Sequence, residues 1–159
     1  MTLLGEAPLG SVSNLGSGTA AATSSSDEFQ DLRLGPKALK WLSRNGISRS
    51  VLDEVFHVAE GGVSISADSV PGMSKREKTI NCYLLAGARR LLESDIATFD
   101  DSEAIAECKR LAAYDKNNHT TYRMAIGNKM TGKRPSFTLT GPGEAAAAEL
   151  IKQMGPRGA

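Results

Sequence analysis

The fold is decided by residues 128–144, NKMTGKRPSFTLTGPGE. The first half of this stretch carries three bases together with the Gly and Pro of a hairpin tip. Residues 136–140 then alternate between polar and apolar side chains, which predicts a strand with Phe137 and Leu139 on one side. The following residues favour a closing helix, with an inner stripe of Ala147, Leu150, Ile151 and Met154.

Two short helices are predicted just before this stretch. Acidic residues at 100–103 mark the start of the first, 102–113, because carboxylates are favoured at the positive end of a helix. A turn at 114–117 leads into the second, 118–126. Its inward side chains are expected to be Tyr122, Ala125 and Ile126, and its outward ones His119, Thr120, Thr121 and Arg123.

The longest predicted helix is 74–94, which Ser74-Lys75-Arg76-Glu77 opens as a capping box. Apolar residues recur along it at spacings of three and four, so one broad face is apolar. This face is either core or an interface between two copies of the chain. Core is favoured because a domain of this size has few other large faces to pack around, but a homodimer through helix 74–94 stays open.

The N-terminal third differs in character. Residues 1–30 are dominated by Gly, Ser, Thr and Ala and predict a flexible tail. Residues 36–72 predict a helical hairpin, with Pro36 at its start, followed by an alternating strand at 63–66. The expected fold class is therefore mainly α with a small β component: a helical N-terminal subdomain, 36–72, and a C-terminal domain, 73–155.

Composition narrows the function classes. The chain has 159 residues and only 5% aromatics, so we expect a core of aliphatic side chains. It has no apolar run long enough for a membrane span and no N-terminal leader, which predicts a cytoplasmic location with no membrane partner. Cys82 and Cys108 are interpreted as reduced, buried residues. His119 and the only other histidine, His57, fall in different parts of the chain, so no enzyme, cofactor or metal is predicted.

Basic residues are concentrated in one segment of the chain. Residues 109–134 hold seven bases and one acid, a local net charge of +6 in a chain whose total is +1. A basic segment of this kind beside a helix, turn, helix and hairpin pattern indicates contact with a polyanion.

The order of these elements resembles that of winged helix-turn-helix domains over roughly residues 74–154. The phrase 137–144, FTLTGPGE, is similar to the exit from the wing in such domains. The first wing strand, near 128–131, does not alternate clearly, so the wing is expected to be either a hairpin or a loop.

The resemblance implies a recognition helix in the major groove of double-stranded DNA. Within it, Arg123 has the geometry suited to guanine and Asn118 the geometry suited to adenine. Six phosphate contacts released together would lower affinity about a thousandfold over a few-fold rise in salt. The implied nucleic-acid-binding residues are Lys116, Asn118, His119, Thr120, Thr121, Arg123, Lys129, Lys133 and Arg134.

The leading hypothesis is a non-enzymatic DNA-binding regulator or accessory factor that uses a helix-turn-helix and a basic wing. The alternative is a protein interaction adaptor, in which the same winged-helix scaffold binds a partner protein within a larger complex.

Overall fold

The structure, a computed structural model, describes residues 28–155 and is mainly α with a small β component, as the sequence predicts. Short 3₁₀ turns occupy Gln30–Leu32 and Gly127–Lys129. The α-helices are α1 (Pro36–Arg44), α2 (Arg49–Val55), α3 (Lys75–Ser94), α4 (Asp101–Arg110), α5 (His119–Met124) and α6 (Gly141–Met154). The strands are β1 (Phe56–Ala59), β2 (Gly62–Ile65), β3 (Thr98–Asp100), β4 (Met130–Lys133) and β5 (Ser136–Leu139).

Two small antiparallel sheets are formed. Strands β1 and β2 make a hairpin, and β3, β5 and β4 make a three-stranded sheet with β5 in the centre. In that sheet Phe99 pairs with Phe137, and both face the core as the alternation of β5 requires. The segment that the resemblance implies to be a wing is therefore a hairpin of two strands and not a loop, and its second strand pairs with β3.

Helix α3 is the central element. The Ser74 hydroxyl accepts from the Glu77 backbone N–H and so caps its first turn, as predicted. Seven consecutive residues, 82–88, are buried, which places the helix in the core. This burial covers the apolar stripe within one chain, and it gives no support to a homodimer through this helix.

The N-terminal helices pack onto this core. Trp41 is buried and donates from its indole N–H to the Glu144 carbonyl, 2.9 Å away on α6. The Asp95 carboxylate accepts from the backbone N–H groups of Lys37 and Ala38, so a residue at the end of α3 caps α1. One hydrophobic core therefore includes side chains from both halves of the chain.

Several boundaries differ from the sequence predictions. The helical spacing of Val51, Leu52, Val55 and Phe56 predicts that Phe56 belongs to the second helix of the 36–72 hairpin. Instead Phe56 begins β1, where it pairs with Ile65. Strand β3 was not predicted. The predicted tail lies outside the described residues except for 28–30, and there Phe29 is buried and Arg49 donates to the Glu28 backbone carbonyl. Chain packing thus begins slightly earlier than composition suggested.

Candidate nucleic-acid interface

A tight turn positions the start of α5. The Asp115 side chain accepts from the backbone N–H groups of Asn117 and Asn118, at 3.1 and 3.2 Å. The Asn118 side chain in turn donates to Asp115, and this bond is the main reason that the pKa of Asp115 is below its usual value. Asn118 therefore holds the turn through its side chain and does not cap the helix with it.

The outward face of α5 is polar with one large apolar residue. Lys116 and Asn118 in the turn are exposed, as are Thr120 and Thr121 on the helix. Met124 on the same helix is 73% exposed. Four of the residues predicted to contact nucleic acid are therefore exposed to solvent, two in the turn and two on the helix.

His119 does not face outward, so that prediction was wrong. It is 5% exposed and lies 2.8 Å from the Tyr83 hydroxyl on α3. The imidazole lies beside the rings of Tyr83 on α3 and of Tyr114 in the segment between α4 and α5. This packing removes the imidazole surface from water.

The buried hydroxyl of Tyr83 determines the proton arrangement around His119. Tyr83 donates its one proton to the Asp101 carboxylate, so its oxygen accepts from His119 Nε2–H. Burial lowers the pKa of His119, Asp101 opposes this shift, and the nearby arginines reinforce it. Burial and the bond to Asp101 raise the pKa of Tyr83. Both rings are therefore neutral at ordinary pH.

Asp101 also connects α5 to the β4–β5 hairpin. Its Oδ2 lies 3.7 Å from a guanidinium nitrogen of Arg123 and 3.3 Å from Nε of Arg134. Asp101 is 3% exposed, and Oδ2 accepts no hydrogen bond from the described residues. The carboxylate is thus an ionic bridge between the two predicted contact elements.

Arg123 was predicted to face outward, and this was also wrong. Its side chain is 13% exposed, and its guanidinium carbon lies 5.7 Å from the centre of the Phe137 ring. The ring face and the Asp101 carboxylate attract the cation inward.

The basic side chains of the hairpin differ in their exposure to solvent. Lys133 and Arg134 are exposed near the turn, and together with Arg123 they line one groove of about 360 Å³ between α5 and the hairpin. Lys129 is half-buried at the base of the hairpin, where its carbonyl accepts from the Thr140 backbone N–H. Lys129 does not line that groove.

The rest of the basic segment is dispersed. Lys109 lies 5.0 Å from the centre of the Tyr114 ring. Arg110 donates to Glu107 and to the Ile65 carbonyl on β2. The seven basic residues of the segment 109–134 therefore do not form a single surface.

Sequence reasoning missed the residues that organise this site. Asp101 was interpreted as a helix-start acid, Tyr83 as part of the apolar face of helix 74–94, and Phe137 only as a side chain on the same side of a strand as Leu139. One signal was available for Tyr83, since a buried tyrosine hydroxyl normally needs a hydrogen-bond partner.

Comparisons with protein-family models, curated proteins and solved structures gave no significant match to this chain. Within residues 28–155, no helix combines the length and apolar character that a membrane span requires. The same residues contain no group of three or more His, Cys, Asp or Glu side chains placed to hold a metal ion.

Proposed function

We propose that this protein binds double-stranded DNA without catalysing a reaction, as a regulator or accessory factor built on a winged-helix scaffold. The observation that carries the proposal is the pairing of the β4–β5 hairpin with β3, the strand that directly precedes α4. Because β5 is bonded on both sides, the hairpin is a fixed element beside α5 and not a loose loop.

The exposed side of α5 supplies groups that suit base edges. The major groove of B-form DNA admits an α-helix. Thr120 and Thr121 offer hydroxyls that both donate and accept, and the Met124 thioether is suited to the methyl group of thymine. His119 and Arg123 face inward and are not part of this reading surface.

Three exposed bases flank α5 and suit the phosphate backbone. Lys116 lies in the turn before the helix, and Lys133 and Arg134 lie on the hairpin beyond it. Such contacts position a protein on DNA without selecting a sequence. With three contacts instead of six, affinity should fall about 40-fold between 50 and 200 mM salt.

The test is a fluorescence anisotropy titration of a mixed-sequence duplex at these two salt concentrations. We expect Lys116→Ala and Lys133→Ala each to weaken binding and to reduce the salt slope by about one. Lys152→Ala is the matched control, because Lys152 lies near the far end of α6 from the hairpin and pairs with Glu149. Absence of binding at the lower salt concentration, or equal effects of all three variants, would overturn the proposal.

A protein interaction adaptor is the second candidate function. It is favoured by Met124, which is 73% exposed at the C-terminal end of α5, one turn after the exposed Thr120 and Thr121. Methionine is enriched at protein–protein interfaces relative to the rest of the protein surface. The distinguishing measurement is a pull-down after nuclease treatment: a defined partner that is retained by the wild-type chain and lost with Met124→Ser favours the adaptor over DNA binding.

A further inference from the structure

The groove between α5 and the β4–β5 hairpin, called here the α5–hairpin groove, is lined by both cationic and apolar side chains. Arg123, Lys133 and Arg134 supply the charge. The apolar surface comes from Met124, Ile126, Met130 and Phe137. At about 360 Å³ the groove is large enough for a small organic molecule.

The guanidinium of Arg123 makes no hydrogen bond to any of the described residues; its nearest charged partner is Asp101. A guanidinium has five N–H donors, and a charged group that is removed from water normally uses them. Here the side chain is 13% exposed, and its nearest carboxylate oxygen is 3.7 Å away. Its donors are therefore directed at the groove or left unused.

Another largely buried arginine in the same chain has hydrogen-bond acceptors for its guanidinium. Arg89, 18% exposed, donates to the Val63 carbonyl and to the carboxylates of Glu93 and Glu103. The fold thus satisfies a guanidinium of similar burial with acceptors from its own residues. At Arg123 the described residues supply no such acceptor.

Asp101 neutralises the groove only in part. Three bases face one carboxylate, which leaves a local net charge of +2. The ligand that matches this charge is a tetrahedral oxyanion with two negative charges, and a guanidinium fork fits such oxygen pairs.

We propose that the α5–hairpin groove binds a phosphate group, either as inorganic phosphate or as a phosphomonoester, through Arg123, Lys133 and Arg134. The phosphate oxygens accept from the unused guanidinium donors. An organic substituent, where there is one, packs on Phe137 and Met130. This site shares Met124, Lys133 and Arg134 with the proposed DNA contacts but does not include Lys116, Thr120 or Thr121. Phosphate binding in the groove does not depend on whether those three residues bind DNA.

The test is a two-dimensional ¹H–¹⁵N NMR titration of the protein with sodium phosphate, against sodium chloride of matched ionic strength. Phosphate should shift the amides of Gly127 and Gly132, which line the groove, and the Nε–H signal of Arg123. Shifts that sodium chloride reproduces, or that spread over the surface without concentrating at the groove, overturn the proposal.

Lys133 is exposed and forms no ion pair with the described residues, so its replacement keeps the test independent of folding. Lys133→Ala and Arg134→Ala should each weaken phosphate binding about fivefold, and Lys152→Ala should leave it unchanged. Unchanged affinity in both hairpin variants overturns the proposal. A parallel titration with phenyl phosphate identifies the source: tighter binding than inorganic phosphate assigns a phosphomonoester, and equal or weaker binding assigns the free ion.

Lys116→Ala separates this inference from the proposed function. Lys116 does not line the groove, so this variant should lose DNA affinity and keep phosphate affinity. A chain that binds phosphate and no DNA supports the groove and contradicts the DNA proposal. A chain that binds DNA and no phosphate supports the DNA proposal and contradicts the phosphate site in the groove.

Discussion

Asp101 contacts three elements from the first turn of α4. It accepts from Tyr83 on α3 and lies near Arg123 on α5 and Arg134 on the hairpin. A buried carboxylate is stable only when it is paired, and removal of one partner of a buried ion pair typically costs about 3–5 kcal/mol. This residue therefore links α3, α5 and the hairpin to one another.

Stability should depend on pH through His119, whose pKa burial lowers. Between this lowered pKa and the ordinary value of about 6.5, the unfolded chain binds the proton and the folded chain does not. The free energy of unfolding should consequently decrease as pH falls below about 6.5. Thermal unfolding measured from pH 8 to pH 5 should show this decrease in Tm.

Two variants isolate the contribution of His119. His119→Gln should show a smaller loss of Tm over the same pH range, because the titrating ring is gone. His57→Gln is the control, since His57 is exposed on β1 and its replacement should leave the wild-type profile intact. Identical profiles for wild type and His119→Gln would contradict the prediction.

At the scale of elements, the first turn of α6 holds the base of the hairpin. The Thr140 backbone N–H donates to the Lys129 carbonyl at 3.0 Å, and its hydroxyl donates to the Asn128 carbonyl at 2.6 Å. A Cβ atom on Gly143 would lie 1.9 Å from the same Lys129 oxygen. The helix and the hairpin can approach this closely only because residue 143 has no side chain.

Gly143→Ala should destabilise the protein by about 1–3 kcal/mol, since the Lys129 backbone must move to admit the methyl group. Gly141→Ala is the control, because a Cβ there meets nothing within 4 Å. Both changes gain similar helix propensity, so their difference in chemical denaturation isolates the contact. Equal midpoints for the two variants would mean that the hairpin base does not depend on this approach.

At the scale of the whole molecule, the N-terminal helices share one core with the rest. Trp41 reports on this packing because it is the only tryptophan and is bonded to α6. We expect a single cooperative unfolding transition, in which Trp41 emission and far-UV circular dichroism have the same denaturant midpoint. An earlier midpoint for Trp41 emission would show that 36–72 detaches first, as a separate subdomain would.

The sequence by itself determined the helices that local signals start and the strand that alternation marks. Ser48 and Ser74 cap α2 and α3 with their hydroxyls, and Phe137 and Leu139 are both buried on β5. Both Cys82 and Cys108 are buried thiols, as predicted. These features follow from interactions within a few residues, which a sequence displays directly.

Only the tertiary structure decided where the site residues point. Strand β3 exists because β5 pairs with it, and neither strand displays that partner locally. His119 and Arg123 turn inward because Tyr83, Asp101 and Phe137 surround that side of α5. Helical periodicity gives the spacing of side chains around an axis, but the direction in which a polar one turns depends on charges and rings that distant segments bring to it.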